Sequence, residues 1–425
     1  MRQISVPYGK RCLSAALPEG YRVEFVSPPE HPPAADPAAL ARQAVYNPLG
    51  AVLPPRAGQT VAIAINDKTR PVPHEHLLPP LLEGMRHAGV RDEDLLFIIA
   101  TGAHPQMRPA EYDSILPAEM LDAYRVVCHD AHDRAKLTYL GETARGVPVY
   151  INRAFMAADY RIVIGNIEPH QFQGFSGGVK CAAIGLAGVQ TINHNHAMMR
   201  HKNARLGEFE QNPARQDVEE IGRLVSIDFA VNALLNHDKR IVRVFAGDPA
   251  AVMRAGIPQA RALYEVKVDA PFDLMIAAPG GHPKDINIYQ AQKGMAQAAA
   301  VTKSGGALIL CAACPEGSGS RDYEQWMMHP PMRSHDAVIE RFAREGFQVG
   351  RHKAFQISRD AARVHTMLVS ELEDDLVRTL LLHPQPDLDT AIQRALAMLP
   401  SDARIGVMPA ANATMPVVGS AEGLC

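Results

Sequence analysis

TVAIAIND, residues 60–67, decides the fold. An unbroken apolar run rich in Val and Ile reads as a strand buried on both faces, and a polar turn carrying Asp67 follows it. HLLPPLLEGMRHAG, residues 76–89, has the pattern of the next helix, with Gly89 as its stop. DLLFIIATGAH (94–104) and YRIVIGNIEPH (160–170) repeat the strand-then-polar-loop form. Strands that alternate with helical patterns predict a parallel α/β sheet.

The rhythm resumes in the second half. FDLMIAAPGGHP (272–283) reads as a strand into a loop, DINIYQAQKGMAQAAAVTK (285–303) as a helix, and GGALILCAAC (305–314) as a further strand. A chain of 425 residues is too long for one core. The charged stretch EVKVDAP (265–271) is the natural boundary, giving domains at 1–268 and 269–425. The expected class is α/β, two domains with largely parallel sheets and an interdomain active-site cleft. Sites in open sheets of this kind form beyond the carboxyl ends of the strands. Asp67, Arg70, His104, His170 and the run from His282 to Lys293 all follow such ends.

Bulk properties exclude several classes of partner. A net charge of -3 with 21% charged residues offers no basic face for nucleic acid. No apolar stretch reaches the length of a membrane span, and the basic N-terminus lacks the apolar run of a signal peptide. Six cysteines in so long a chain are no disulfide framework, so a cytoplasmic protein is expected.

The chemistry concentrates in EPHQFQGFSGGVKCAAIGLAGVQTINHNH, residues 168–196. His170 stands where a base or acid would meet a substrate. In GFSGGVK (174–180), Gly177 and Gly178 allow close approach of a phosphate, with backbone N–H groups as an anion nest, the Ser176 hydroxyl and the Lys180 charge beside it. The spacing is not that of a Walker A loop. His194, His196 and His201 follow; a conventional zinc site needs three or four ligands at suitable spacing, and H-x-H with distant histidines is suggestive of metal without being diagnostic.

Read together, NDKTRPVP (66–73), TGAH (101–104), EPHQFQGFSGGVK (168–180), TINHNH, NPARQDVEEIGRLVSIDFAVNALLN (212–236) and DINIYQAQK (285–293) resemble the lactate racemase family, in order along the chain. The resemblance implies an isomerase, a 2-hydroxy acid racemase or epimerase that uses a nickel-pincer nucleotide, a pyridinium-3-thioamide-5-thiocarboxylic acid mononucleotide. It implies Lys180 as the tether of that cofactor and His196 as the protein's nickel ligand. Asp67, Ser176, Gly177, Gly178 and Tyr289 become cofactor-binding, and His104 and His170 the catalytic pair. Arg70, Gln290 and Lys293 become substrate-binding. Imidazole suits nickel, and histidine, titrating near about pH 6.5, suits proton transfer at neutral pH. Hydride removal from C2 avoids a carbanion at a carbon that is a poor acid. The resemblance further implies loading by separate cofactor-making enzymes, a small 2-hydroxy acid as substrate, and a possible homo-oligomer. Pro105 and Ile184–Gly185 depart from the family's pattern and leave the substrate's side chain open.

Other readings compete. A non-catalytic nickel- or nucleotide-binding protein needs neither His104 nor His170. An NAD-dependent hydroxy-acid dehydrogenase needs a G-x-G-x-x-G between strand and helix, and none is seen. Cys311 and Cys314 read as packing, HDAHD (129–133) as a surface loop, and Trp326 as either a pocket wall or a core residue.

Overall fold

The strand Val61–Asn66 forms where its sequence placed it, buried from Val61 through Ile65. In the computed structural model, which describes residues 2–50, 52 and 54–419, the chain divides into two compact units. One is Glu30–Leu263; the other joins the residues up to Pro29 with the chain from Tyr264 onward.

The first unit is built on a six-stranded sheet ordered Ile241–Gly247, Phe229–Leu235, Tyr160–Asn166, Val61–Asn66, Leu95–Ala100 and Arg125–Cys128. All neighbours are parallel except the pair formed by 229–235 and 241–247. The near-continuous apolar strands are the expected consequence of helices on both faces. Ile63, Ile65, Phe97, Ile99, Ile162 and Val231 share one core with Leu77, Leu78 and Leu81 of the helix His74–His87. Each such side chain, fully buried, contributes about 1.5–3 kcal/mol. Gly89 ends the helix region with φ +82°, and its N–H donates to Arg86 O.

After 61–66 the chain winds outward through 95–100 to 125–128. It then returns to the other side of 61–66 with 160–166. The winding therefore reverses between 61–66 and 160–166. That reversal splays the loops after Asn66 and Asn166 apart and leaves a crevice at the strand ends.

The second unit has an all-parallel sheet ordered His383–Gln385, His365–Val369, Thr302–Cys311, Phe272–Ala277, Arg404–Met408 and Arg22–Phe25. Here too the winding reverses, beside 272–277. The helix that follows is Ile288–Ala300, shorter than the expected 285–303. Asn287 caps it by accepting from the Gln290 N–H, and Thr302 already starts the next strand.

The first 29 residues correct the expected division at 268. Arg22–Phe25 pairs with Arg404–Met408, and the hairpin Arg2–Tyr8/Arg11–Leu17 packs Ile4, Val6, Tyr8, Ala15 and Leu17 into the second unit's core. The physical reason is a partner too distant in sequence for local patterning to register. Arg404 clamps the edge strand: its guanidinium donates to both Glu24 oxygens, at 3.0 and 2.6 Å, and lies 4.4 Å from the Phe272 ring centroid.

That clamp is testable. The Arg404 hydrogen bond, against a smaller opposing effect of burial, holds the Glu24 carboxyl below its ordinary value of 4.5. A carboxylate lowered on folding stabilises fully above its unfolded pKa and loses that contribution as pH falls through the folded one. Arg404→Met should cost about 1–3 kcal/mol at neutral pH in urea unfolding, and the deficit should shrink in acid. An unchanged deficit down to about pH 3 would show that the charge pair is not its source.

Candidate functional site

The loop after 61–66 folds on Asp67. Its Oδ1 accepts from the Thr69 N–H (3.0 Å) and hydroxyl (2.6 Å), and its Oδ2 from His104 Nδ1 (2.8 Å). His104 sits after the next strand, in a turn where its N–H donates to Thr101 O and the Gly102 N–H to Gly185 O. Burial alone would raise the Asp67 carboxyl. The hydrogen bonds from His104 and Thr69, with the charges of His104 and Arg70, hold it below the ordinary range. A carboxylate accepting from Nδ1 leaves the lone pair of neutral His104 on Nε2.

On the other side of the reversal, Pro169–His170 pairs with Gly174–Phe175 in a short antiparallel ladder. The Gln173 N–H donates to His170 Nδ1 at 3.2 Å, which puts the proton of neutral His170 on Nε2. Gly174, at φ +70°, presses so closely on the 208 backbone that a Cβ would lie 1.8 Å from Glu208 O.

The Ser176–Gly178 loop corrects one expectation. The Ser176 N–H donates to Glu168 O and the Gly178 N–H to Asn232 Oδ1, so these two groups serve the fold and not an open nest. Wholly buried Arg215 holds the loop from beneath, donating to Phe175 O at 3.0 Å and Gly177 O at 3.1 Å. The conformation needs both glycines. Gly177 has φ +88° and Gly178 φ +57°.

Lys180 begins the next short helix. Burial, then the charges of Arg70 and Arg215, push its amine well below the ordinary range, against the pull of Glu168. Glu168 itself pairs with Lys239 at 3.2 Å. His196, on the helix Val189–Ala197, is pushed down to about 3 by burial, then by Lys180 and His104. Its ring meets Phe172 edge-on at 4.9 Å, and His170 meets the same ring at 4.8 Å. His194 is separated from this group because residues two apart on a helix do not share a face. It is exposed and bonds through Nδ1 to Gln190 O. Asp67, Arg70, His104, His170, Lys180 and His196 thus gather within one unit.

Tyr289, Gln290 and Lys293 gather in the other unit, on the helix Ile288–Ala300. Lys293 Nζ donates to Gln290 Oε1 at 2.7 Å. The Tyr289 ring lies 4.4 Å from Lys353 Nζ and edge-on to His352.

Several functional-looking residues escaped the sequence reading: Phe172, Gln173, Asn195, Arg215 and Asp217. The burial of polar types inside 168–236 could have flagged all of them but Phe172, for which the sequence carries no signal. Other singled-out residues have structural duties. Trp326 donates to Glu345 at 2.6 Å beneath the Arg341 guanidinium. Cys311 and Cys314 are buried, and burial pushes the Cys311 thiol up to about 12. His129, expected in a surface loop, is wholly buried and bonds to Ala187 O and Asn152. No cluster of three His, Cys, Asp or Glu side chains suited to a metal occurs among the described residues.

Comparison with known proteins adds family. A family model described as lactate racemase N-terminal domain matches residues 8–207, and one described as lactate racemase C-terminal domain matches 267–415. The chain is 30% identical to a lactate racemase of Lactiplantibacillus plantarum and 28% identical to that of Thermoanaerobacterium thermosaccharolyticum. Each match covers 96% of this chain and 98% of the relative. The solved apoprotein of the latter superposes with a TM-score of 0.88 at 27% identity, over 99% of this chain and 100% of that one.

The loop geometry yields a stability test. At Gly178 an added Cβ would meet Met253 Cγ at 2.6 Å, on top of the left-handed φ. Gly178→Ala should cost about 1–3 kcal/mol in urea unfolding. Gly58→Ala, at φ +84° with open space around it, should cost about 1 kcal/mol. Equal costs would mean that contact with Met253 imposes nothing.

Proposed function

This chain belongs to the lactate racemase family, and we propose that it inverts C2 of a 2-hydroxy acid by proton-coupled hydride transfer to and from a nickel-pincer nucleotide. The observation that carries the reading is that Asp67-bound His104 and Lys180 both act on His196, whose ring meets the same Phe172 ring as His170.

The residues present fit that cofactor. An amine must be uncharged to be acylated, and burial with the neighbouring Arg70 and Arg215 favours the uncharged form of Lys180. His196 Nδ1 meets the Asn195 side-chain oxygen Oδ1 at 3.1 Å, which places its lone pair on Nε2, as a nickel ligand requires. Lys180 would tether the group and His196 complete the metal's donor set. The Ser176 hydroxyl, with the close approach allowed by Gly177 and Gly178, would face its phosphate. Asp67 would be a further cofactor contact in the same unit, and Tyr289 is the other unit's cofactor-binding candidate.

The proton chemistry belongs to the two histidines. His104 Nε2 takes the hydroxyl proton of one enantiomer, and Asp67 stabilises the imidazolium that results. His170, entering this step as an imidazolium whose Nδ1 has given up the Gln173 N–H, returns its Nε2 proton to the carbonyl oxygen of the planar 2-keto acid and is left neutral, serving the opposite hand. The reverse reaction exchanges the two roles. Arg70, with its planar fork, suits the substrate carboxylate. In the other unit Gln290 and Lys293 take the substrate-binding roles. Loading depends on separate cofactor-making enzymes, and a cytoplasmic setting supplies them. Among the described residues no helix is long and apolar enough to cross a membrane.

Two measurements test this. Protein co-expressed with the cofactor-making enzymes should carry a mass addition at Lys180 and about one nickel per chain. Lys180→Ala should lose both, while His104→Ala and His170→Ala should keep both and lose at least about 100-fold in kcat. Turnover in deuterium oxide should leave C2 of the product unlabelled. Deuterium at C2 would replace hydride transfer by deprotonation at carbon.

A further inference from the structure

His196 and His170 are joined by a buried hydrogen-bond network that the racemase chemistry does not itself use. Gln173, Asn195 and Asp217 are each wholly buried. Asn195 Nδ2 donates to Ala214 O and to Asp217 Oδ2, both at 2.9 Å. A backbone carbonyl can only accept, so the orientation of the Asn195 amide is forced. Its Oδ1 must therefore accept, and it does so from Gln173 Nε2 at 2.8 Å and from His196 Nδ1 at 3.1 Å. Asp217 Oδ1 accepts from the Thr143 hydroxyl at 2.6 Å, which anchors the far end. At the near end the Gln173 backbone N–H donates to His170 Nδ1.

Gln173 makes a sacrifice that shows the direction of the design. Its Oε1 is buried with no hydrogen-bond partner, which costs stability. Turning the amide over would satisfy that oxygen no better and would set two carbonyl oxygens against each other at Asn195.

We propose that the Gln173–Asn195–Asp217 network is a positioning device that sets opposite tautomers in the two histidines. It presents a lone pair at His196 Nε2 and a proton at His170 Nε2. Asp217 fixes Asn195, Asn195 fixes the His196 tautomer, and the Gln173 main chain fixes that of His170. The metal-binding part of the inference rests on the reading of His196 as the nickel ligand. Partners of this kind behind a ligand imidazole set its orientation and basicity.

Long-range 1H–15N correlation on the apoprotein, with labelled histidine, tests the network without any cofactor. His196 should carry its proton on Nδ1 and His170 on Nε2. Asn195→Leu should mix the His196 tautomers and leave His170 unchanged. In the loaded enzyme the same variant should weaken nickel retention about 10- to 100-fold. Asn195→Ala removes the same acceptor without adding bulk. It should mix the His196 tautomers likewise, and it carries the test if Asn195→Leu fails to fold. A proton on His196 Nε2 in the native apoprotein, or an Asn195→Leu tautomer identical to the native one, overturns the proposal. A changed tautomer with unchanged nickel retention upholds the network and overturns the ligand reading.

Discussion

A parallel sheet that reverses its winding cannot close the gap between the two loops at the point of reversal, and the chemistry of this protein is organised around that constraint. The strands 61–66 and 160–166 are neighbours in register, yet the chain leaves them in opposite directions. Asp67 leaves one strand end and Glu168 to His170 leave the other. The Asp67–His104 bond ties the first loop to the next strand, and Arg215 with Asn232 ties the second loop to the sheet's far side. The second unit repeats the device, with Gln290 and Lys293 on the helix that follows its own reversal strand.

Holding charged groups in such a crevice sets burial against pairing. Asp67 stays ionised because donors surround it, whereas Lys180 is crowded by Arg70 and Arg215 and disfavours its charged form. The same crevice thereby favours the charged form of one group and disfavours that of the other. Desolvation dominates at His196, while hydrogen-bond donors decide at Asp67. Residue type alone gives neither result.

What was legible in the sequence was what neighbouring residues encode. Apolar runs marked 61–66, 95–100, 160–166 and 272–277 as strands, and polar residues at their ends marked the crevice. His104, His170, Lys180 and His196 were singled out through short spaced motifs. The edge strand 22–25 was not, because its partner lies at 404–408 and no local pattern records that pairing. Asn195 and Asp217 were invisible for a related reason: a buried amide and a buried carboxylate look like surface residues until their donors are known. The glycine loop misled in one respect, since a string of N–H groups does not show which of them the fold has already taken.

The split composition of the second unit bears on how the polypeptide is made. Glu24 and its partner Arg404 are 380 residues apart. At about 5–20 residues per second, a ribosome takes roughly 20–80 s to deliver the second after the first. The unit Glu30–Leu263 is contiguous and can complete its sheet during that interval. The hairpin 2–17 and the strand 22–25 wait that long for the strand 404–408 to emerge. Over that interval the edge of 22–25 lacks its partner, the condition in which a strand edge is open to pairing with another chain.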